Sequence, residues 1–326
     1  MKRITHREIA ERLPGEVDML IMSHENPDGD ALGCVSALAA MARELGVSYR
    51  MYIPGDTPFP AEYAFLPGLD EVMRGPFPTA GEQTTAYIMD CATATRLDPT
   101  GLECLGECIN IDHHQDNPGF GTLNLLDLEA ASTTQILYDI FISGDLPMTP
   151  EIATCLYVGL VTDSGRFQYS NTTPAVHRMA GALQEAGVNV NEIYRRLYET
   201  TPVEKLLLLG RALDHLEIRL GGRLVVSWVD STDFAATAAD ERHTEGIIDS
   251  LRRIRGVRAA AFVRELSGDD GVQQKVSLRS TDGSIDVAAL AHLRGGGGHV
   301  RAAGFTTSGD TTSVLAWIER EIEALL

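Results

Sequence analysis

The chain has 326 residues, 44% hydrophobic and 22% charged, with 31 Gly and 14 Pro, an ordinary globular composition with room for two domains. Its net charge of −19 argues against wrapping long nucleic acid, whose affinity comes from many phosphate contacts to Lys and Arg. A short anion held by a few local cations stays open. No apolar run approaches the roughly 20 residues that span a bilayer, and the charged stretch from Met1 to Glu16 has no signal-peptide core. These features predict a soluble, cytoplasmic protein without membrane partners. Five cysteines are scattered, with only Cys104 and Cys108 close together, so reduced, packed thiols are expected rather than a zinc site.

Residues 17–23 read as a buried strand that runs into His24, Glu25, Asn26, Pro27, Asp28, Gly29 and Asp30. Pro27 and Gly29 force a turn, and an Ala-, Leu- and Met-rich helix follows over 31–45. A helix cap accounts for one aspartate in this loop. It does not account for His24, Asp28 and Asp30 together, which are metal-competent side chains at a strand end. Residues 49–53 form a second strand, and 54–75 a Pro- and Gly-rich loop. Residues 86–91 form a third strand ending in Asp90, where a lone aspartate is a cap, a turn residue or a ligand. Residues 107–111 form a fourth and deliver Asp112, His113 and His114. Strand ends of this kind open into the crevice where open α/β sheets place their ligands. Imidazole and carboxylate suit a divalent transition metal. The triplet alone is equally consistent with structural histidines, and the matching carboxylates elsewhere favour the metal.

Helical spacing recurs over 131–141 and 152–160, the second leading into Asp163, then over 174–186 and, as one or two helices, over 191–216. Alternating strands and helices predict a doubly wound parallel sheet. From residue 218 the pattern changes: a hairpin straddles Gly221-Gly222, a helix is expected over 243–253, and strands over 258–266 and 272–279 flank an acidic turn. The expected architecture is α/β, with a catalytic domain over 1–195, a helical linker over 196–215, and a smaller mixed-sheet α/β domain over 216–326. Within the last, Gly295, Gly296, Gly297 and Gly298 strip the backbone of side chains, so their amides can approach an anion. His299, Arg301 and Arg279 add donors. Flanking apolar residues and a following strand disfavour a flexible linker.

Taken in order, these stretches resemble the DHH phosphoesterase superfamily over nearly the whole chain. His24, Asp28 and Asp30 match its His-x-x-x-Asp-x-Asp motif, and Asp90 its isolated strand-end aspartate. Asp112-His113-His114 match its naming triplet, Asp163 its fourth motif, and Gly295 to Gly304 the signature of its associated C-terminal domain. The length, the glycine-rich domain and Ser170 to Pro174 are similar to the oligoribonuclease (nanoRNase)/pAp phosphatase subgroup. Cys34 departs from the Ser that relatives often carry, and Gln168 from a basic residue in some, which bears on substrate preference.

The resemblance implies two Mn²⁺ ions, with Mg²⁺ or Co²⁺ as substitutes. One would be held by His24, Asp28 and Asp90, the other by Asp30, Asp90, His113 and Asp163. Asp112 would support the ligands from behind, His114 would face the scissile phosphate, and Arg166 would neutralise developing charge. Arg279, Gly295, Gly296, Gly297, Gly298, His299 and Arg301 would grip a distal phosphate or nucleotide, so that a finite cleft favours short substrates. The implied activity is hydrolysis of short oligoribonucleotides, dinucleotides and 3'-phosphoadenosine 5'-phosphate (pAp). Cyclic-dinucleotide (c-di-AMP) hydrolysis and RecJ-like single-strand exonuclease action are the alternatives. A homodimer is implied by analogy, and long duplex DNA is not an expected partner. The physics agrees: two dications about 3.5–4 Å apart can share a carboxylate and activate a hydroxide for in-line attack. A vestigial nucleotide-binding regulator would lack a ligand, and no ligand position is missing.

Overall fold

Strands buried on both faces need cover on both sides, which favours parallel pairing with crossover connections. The first half meets this condition. β1 (Asp18–Met22), β2 (Ser48–Tyr52), β3 (Thr84–Met89), β4 (Glu107–Asp112) and β5 (Leu123–Leu126) pair in parallel in the order β2-β1-β3-β4-β5. The computed structural model describes residues 2–103, 105–268 and 271–326; Cys104 and the centre of the expected acidic turn lie outside them. Alternate residues feed two cores. Met19, Ile21, Tyr87, Met89, Ile109 and Ile111 face one, while Leu20, Met22, Ala86 and Ile88 face the other.

The larger core is built with α1 (His6–Arg12), α2 (Gly29–Leu45), α4 (Thr133–Ser143), α5 (Pro150–Asp163), α6 (Pro174–Glu185) and α7 (Val190–Tyr198); α3 (Pro99–Leu102) is a single turn. α2 starts at Asp28, whose side chain accepts from Asp30 N and Ala31 N, and ends at Gly46 in the left-handed region at φ 70°. α2 and α5 meet through glycines. A Cβ at Gly33 would lie 2.7 Å from the Cys155 carbonyl oxygen, and one at Gly159 would lie 2.5 Å from Asp30 Oδ1. This absence of side chains brings the C-terminus of α5, with Asp163, beside the start of α2.

These elements form one compact unit, Met1–Thr200, and the second spans Thr201–Leu326. The second unit contains α8 (Val203–Asp214), β6 (Glu217–Arg219), β7 (Leu224–Val229), α9 (Ser231–Thr237), α10 (Ile247–Leu251), β8 (Ala259–Gly268), β9 (Gly271–Ser280), α11 (Val287–His292), β10 (Gly297–His299), β11 (Ala302–Ser308) and α12 (Thr311–Glu323). Its sheet runs β10-β11-β9-β8-β7-β6, antiparallel except for β7 with β8. α11 and α12 cover one face, and α8 and α10 cover the other. Leu208 and Ala212 of α8, within the stretch expected as a linker, are buried in that second core.

Of the one or two helices expected over 191–216, two are present, separated by residues 199–202 with Pro202 preceding α8. Two expectations change. The helix over 243–253 is interrupted by Gly246 at φ 86°, which leaves a 3₁₀ turn at Glu241–Thr244 and the short α10. β5 and α1 were not anticipated: the first is four residues long, and the second is seven residues closed by a Thr5–Glu8 capping box. Among the described residues, no helix is long and apolar enough to cross a membrane.

Candidate metal centre

Four chain segments of the first unit converge at the C-terminal ends of β1, β3 and β4. The His24, Asp28 and Asp90 ligand atoms all lie within 4.8 Å of one another, as do those of Asp30, His113 and Asp163, and those of Asp90, His113 and His114. His24 Nε2 is 3.8 Å from Asp90 Oδ2. His113 Nε2 is 3.7 Å from Asp90 Oδ1 and 3.2 Å from Asp163 Oδ2. Asp90 therefore stands between two groups of donors. Its backbone holds φ 54°, an uncommon conformation for a residue other than glycine.

The donor set fits divalent cations. Asp28 caps α2 through Oδ1 alone, so the bland and functional readings of that aspartate coexist on its two oxygens. His113 Nδ1 is 3.3 Å from the Ala130 carbonyl oxygen, and His24 Nδ1 is 2.7 Å from that of Glu25. Protonated Nδ1 atoms donating there leave Nε2 with a free lone pair, the tautomer a metal requires. Arg96 Nη2 also approaches His24 Nδ1, at 2.5 Å. That bond would need Nδ1 unprotonated, so it competes with the Glu25 contact. Among the described residues, the ion-pair partners of Asp90 and Asp163 are histidines, with no Lys or Arg to balance them.

The protonation pattern expresses that imbalance. Burial and the charges of Asp90 and Asp163 push the Asp30 carboxyl well above the usual range. Burial, with Asp90 and Asp28, pushes Asp163 up to about 8. Burial works in the same direction on Asp90, but the neighbouring imidazoles of His24, His113 and His114 outweigh it and hold that carboxyl low. Clustered carboxylates that cannot all ionise alone are suited to a site that cations complete.

Asp112 organises the triplet from below. It is fully buried, and its Oδ1 accepts from His113 N at 2.9 Å and from His114 Nδ1 at 2.7 Å. Asn117 Nδ2 donates to its Oδ2 at 2.5 Å. The Asp112 hydrogen bond raises His114 to about 9, which makes it an imidazolium at neutral pH. Arg166 lies outside the ligand groups: it follows Asp163 in a run where Gly165, Arg166 and Phe167 all have positive φ, and its guanidinium rests 4.6 Å from the Tyr198 ring centre.

Sequence reasoning missed Thr133 and Thr134, which bond Asp90 and Asp30, and Asn171, whose Nδ2 donates to the carbonyls of Ala131 and Asp163. For the threonines the available signal was Ser132-Thr133-Thr134 ahead of an apolar run, which reads as a helix N-cap, and Asn171 lies in the Ser170 to Pro174 stretch noted for its resemblance but given no role.

In the second unit, register aligns His299, Ala302 and Arg279 across β10, β11 and β9. Directly opposed residues share a face, so His299 and Arg279 flank a small Ala302, their Cα atoms roughly 10 Å apart by strand spacing. Arg279 Nε is 3.6 Å from Asp249 Oδ1. It also lines a cavity of about 550 Å³ with Arg264, Lys275 and Phe262. Arg301 Nη2 donates to the Asp282 carbonyl. The glycine run is only partly free to act as a cradle. Gly295 N donates to His292 O and Gly296 N to Ala291 O, closing the end of α11. A Cβ at Gly296 or Gly298 would collide with the backbone of β11. Gly297 and Gly298 belong to β10, whose antiparallel ladder with β11 engages one of their two amides and leaves the other on the sheet edge as a candidate donor.

Residues 18–160 match the DHH family, N-terminal domain, and residues 221–324 match the DHHA1 domain. The chain is 34% identical, over 90% of its own length and 85% of the relative's, to the bifunctional oligoribonuclease and PAP phosphatase NrnA of Thermus thermophilus. The chain belongs to the DHH phosphoesterase family. It is accordingly a hydrolase acting on phosphodiester bonds. This DHH protein is also 28% identical to the Bacillus subtilis protein of the same description, covering 93% of this chain and 91% of that one. Among solved structures, an exopolyphosphatase-related protein from Bacteroides fragilis shares the fold with a TM-score of 0.81 at 22% identity, covering 98% of this chain and 96% of that one. Exonuclease RecJ bound to manganese shares it more distantly, with a TM-score of 0.51 at 17% identity over 99% of this chain and 94% of that one.

Proposed function

We propose that this chain is a two-metal phosphoesterase that hydrolyses short oligoribonucleotides, dinucleotides and pAp, with Mn²⁺ as its cation. The observation that carries the reading is the convergence of His24, Asp28, Asp30, His113 and Asp163 around the buried Asp90. The descriptions of the Thermus and Bacillus relatives support the substrate class, and the manganese of the RecJ structure is in keeping with the choice of metal. His24, Asp28 and Asp90 would hold one ion, and Asp30, Asp90, His113 and Asp163 the other. When bound, such a pair lowers the pKa of a water and offsets charge on a phosphate.

The remaining work falls to the chain's own side chains. Asp112 keeps His114 protonated at Nδ1, so His114 Nε2–H is available to donate to an oxygen of the scissile phosphate. Arg166, resting on Tyr198, supplies a further cation on the same unit. Arg279, His299 and Arg301, with the edge-facing amide of the Gly297-Gly298 pair, would bind the far phosphate or nucleotide of the substrate; Gly295 and Gly296 would shape that loop. A net charge of −19 disfavours long strands and leaves short anions as the substrates that a few cations can hold.

The test is a product assay on pAp, linear dinucleotides, short RNA, long single strands and cyclic dinucleotides, each with Mn²⁺, Mg²⁺ or chelator. Turnover of the first three with Mn²⁺, and none with chelator, is expected. Equal rates on long strands and dinucleotides would overturn the length selection, and activity in chelator would overturn the metal reading.

A further inference from the structure

Two buried aspartates at the centre, Asp30 from the first turn of α2 and Asp90 from the end of β3, are both hydrogen-bonded by one dipeptide at the start of α4. Thr133 N donates to Asp30 Oδ2 at 2.5 Å, and Thr134 N and Oγ1 donate to Asp30 Oδ1 at 3.0 and 2.7 Å. Thr133 Oγ1 turns the other way and donates to Asp90 Oδ1 at 2.9 Å. Ser132 Oγ, which caps α4 by accepting from Gln135 N, also contacts Thr134 Oγ1 at 2.8 Å. Both threonines are fully buried.

Helix capping explains part of this network. Ser132 is the N-cap of its own helix, and the Asp30 carboxylate takes the next two amides. It does not explain the Thr133 hydroxyl. That group serves no orphan donor of α4 and spends its proton on a carboxylate from another strand. A fixed donor on one oxygen sets the plane of a carboxylate and the direction of its remaining lone pairs, and metal ligands are commonly held in this way.

We infer that Thr133 is a positioning residue for Asp90: its hydroxyl aims the carboxylate shared by the two cation sites, while Thr134 fixes Asp30 from the same helix turn. The inference rests on the two-metal reading above. It goes beyond that reading by assigning the geometry of the shared ligand to a side chain that touches neither substrate nor ion.

The test is calorimetric titration of Mn²⁺ into the metal-stripped full chain and its variants, with metal-free thermal midpoints measured in parallel. T133V keeps the shape and loses the hydroxyl; T133S keeps the hydroxyl. T133V is expected to weaken Mn²⁺ binding about 10–100-fold with little change in the metal-free midpoint, and T133S to stay close to wild type. Should T133V not fold, T133A is titrated in its place against T133S, with the same loss expected. Wild-type affinity in the hydroxyl-less variant would overturn the inference. So would equal loss in T133S, because that would assign the effect to packing of the methyl group. Failure of the wild-type chain to bind Mn²⁺ is a separate result and would overturn the two-metal reading itself.

Discussion

His114 and Asp163 hold protons that their unfolded counterparts would release. Asp163 sits at about 8 against an ordinary 3.8, through burial and its neighbours Asp90 and Asp28, and His114 at about 9 against 6.5, through Asp112. Between those values the folded metal-free chain binds more protons than the unfolded chain, so its stability falls as pH rises across both windows. The thermal midpoint in chelator is expected to decline from about pH 5 to about pH 9, most steeply where the windows overlap, between about 6.5 and 8. A midpoint that climbs over that range would contradict the assignment. Asp112→Asn removes the charge beside His114 Nδ1. It is expected to cost about 10–100-fold in turnover and to move the alkaline limb of the pH–rate profile downward, read from kcat against pH. At this scale the cluster of candidate donors was legible because each sits where a strand or helix starts or ends next to a turn. Thr133 and Asn171 were not, because a hydroxyl or amide declares its partner only after distant segments meet.

Elements brought those segments together, and glycine decides how closely. Gly159 of α5 faces Asp30 of α2, with a Cβ there 2.5 Å from both Asp30 Oδ1 and Thr134 Cγ2. Gly159→Ala is expected to destabilise the chain by about 1–3 kcal/mol through overpacking, seen as a lower denaturant midpoint, and to weaken Mn²⁺ binding by displacing Asp30. An unchanged midpoint would show that the two helices can spread without strain. The alternation of strand and helix in the first half was legible from periodicity alone. β5 was not, because Leu123–Leu126 is too short for a pattern of period two to register. The break at Gly246 was also missed: an isolated glycine inside an apolar helical pattern is usually tolerated, but here φ 86° ends the helical path.

For the molecule as a whole, the proposed function assigns catalysis to the first compact unit, Met1–Thr200, and substrate holding to the second, Thr201–Leu326. Arg279→Ala or His299→Ala is expected to raise KM by about tenfold or more, the scale of a charge-assisted hydrogen bond, with kcat little changed. A fall in kcat at constant KM would remove these residues from substrate holding. An acidic chain that grips few phosphates should also respond weakly to salt: the logarithm of kcat/KM against the logarithm of salt concentration is expected to slope by about −1 to −2, with roughly −0.7 per contact for single strands. A much steeper slope would mean an extended nucleic-acid track. The two-part organisation was legible from the change of pattern near residue 218. Which amides of the glycine run are already engaged was not legible, because sequence cannot tell an open amide from one that closes the preceding helix, as those of Gly295 and Gly296 do.

Among the described residues, every candidate donor of the metal centre lies between His24 and Asp163, within the first unit. A ribosome reading this message has therefore finished all the proposed ligands more than a hundred residues before it reaches Arg279 and His299. Domains fold as units during synthesis, N-terminal first, so on the proposed reading a nascent chain would load its cations before the residues proposed to hold substrate have been translated.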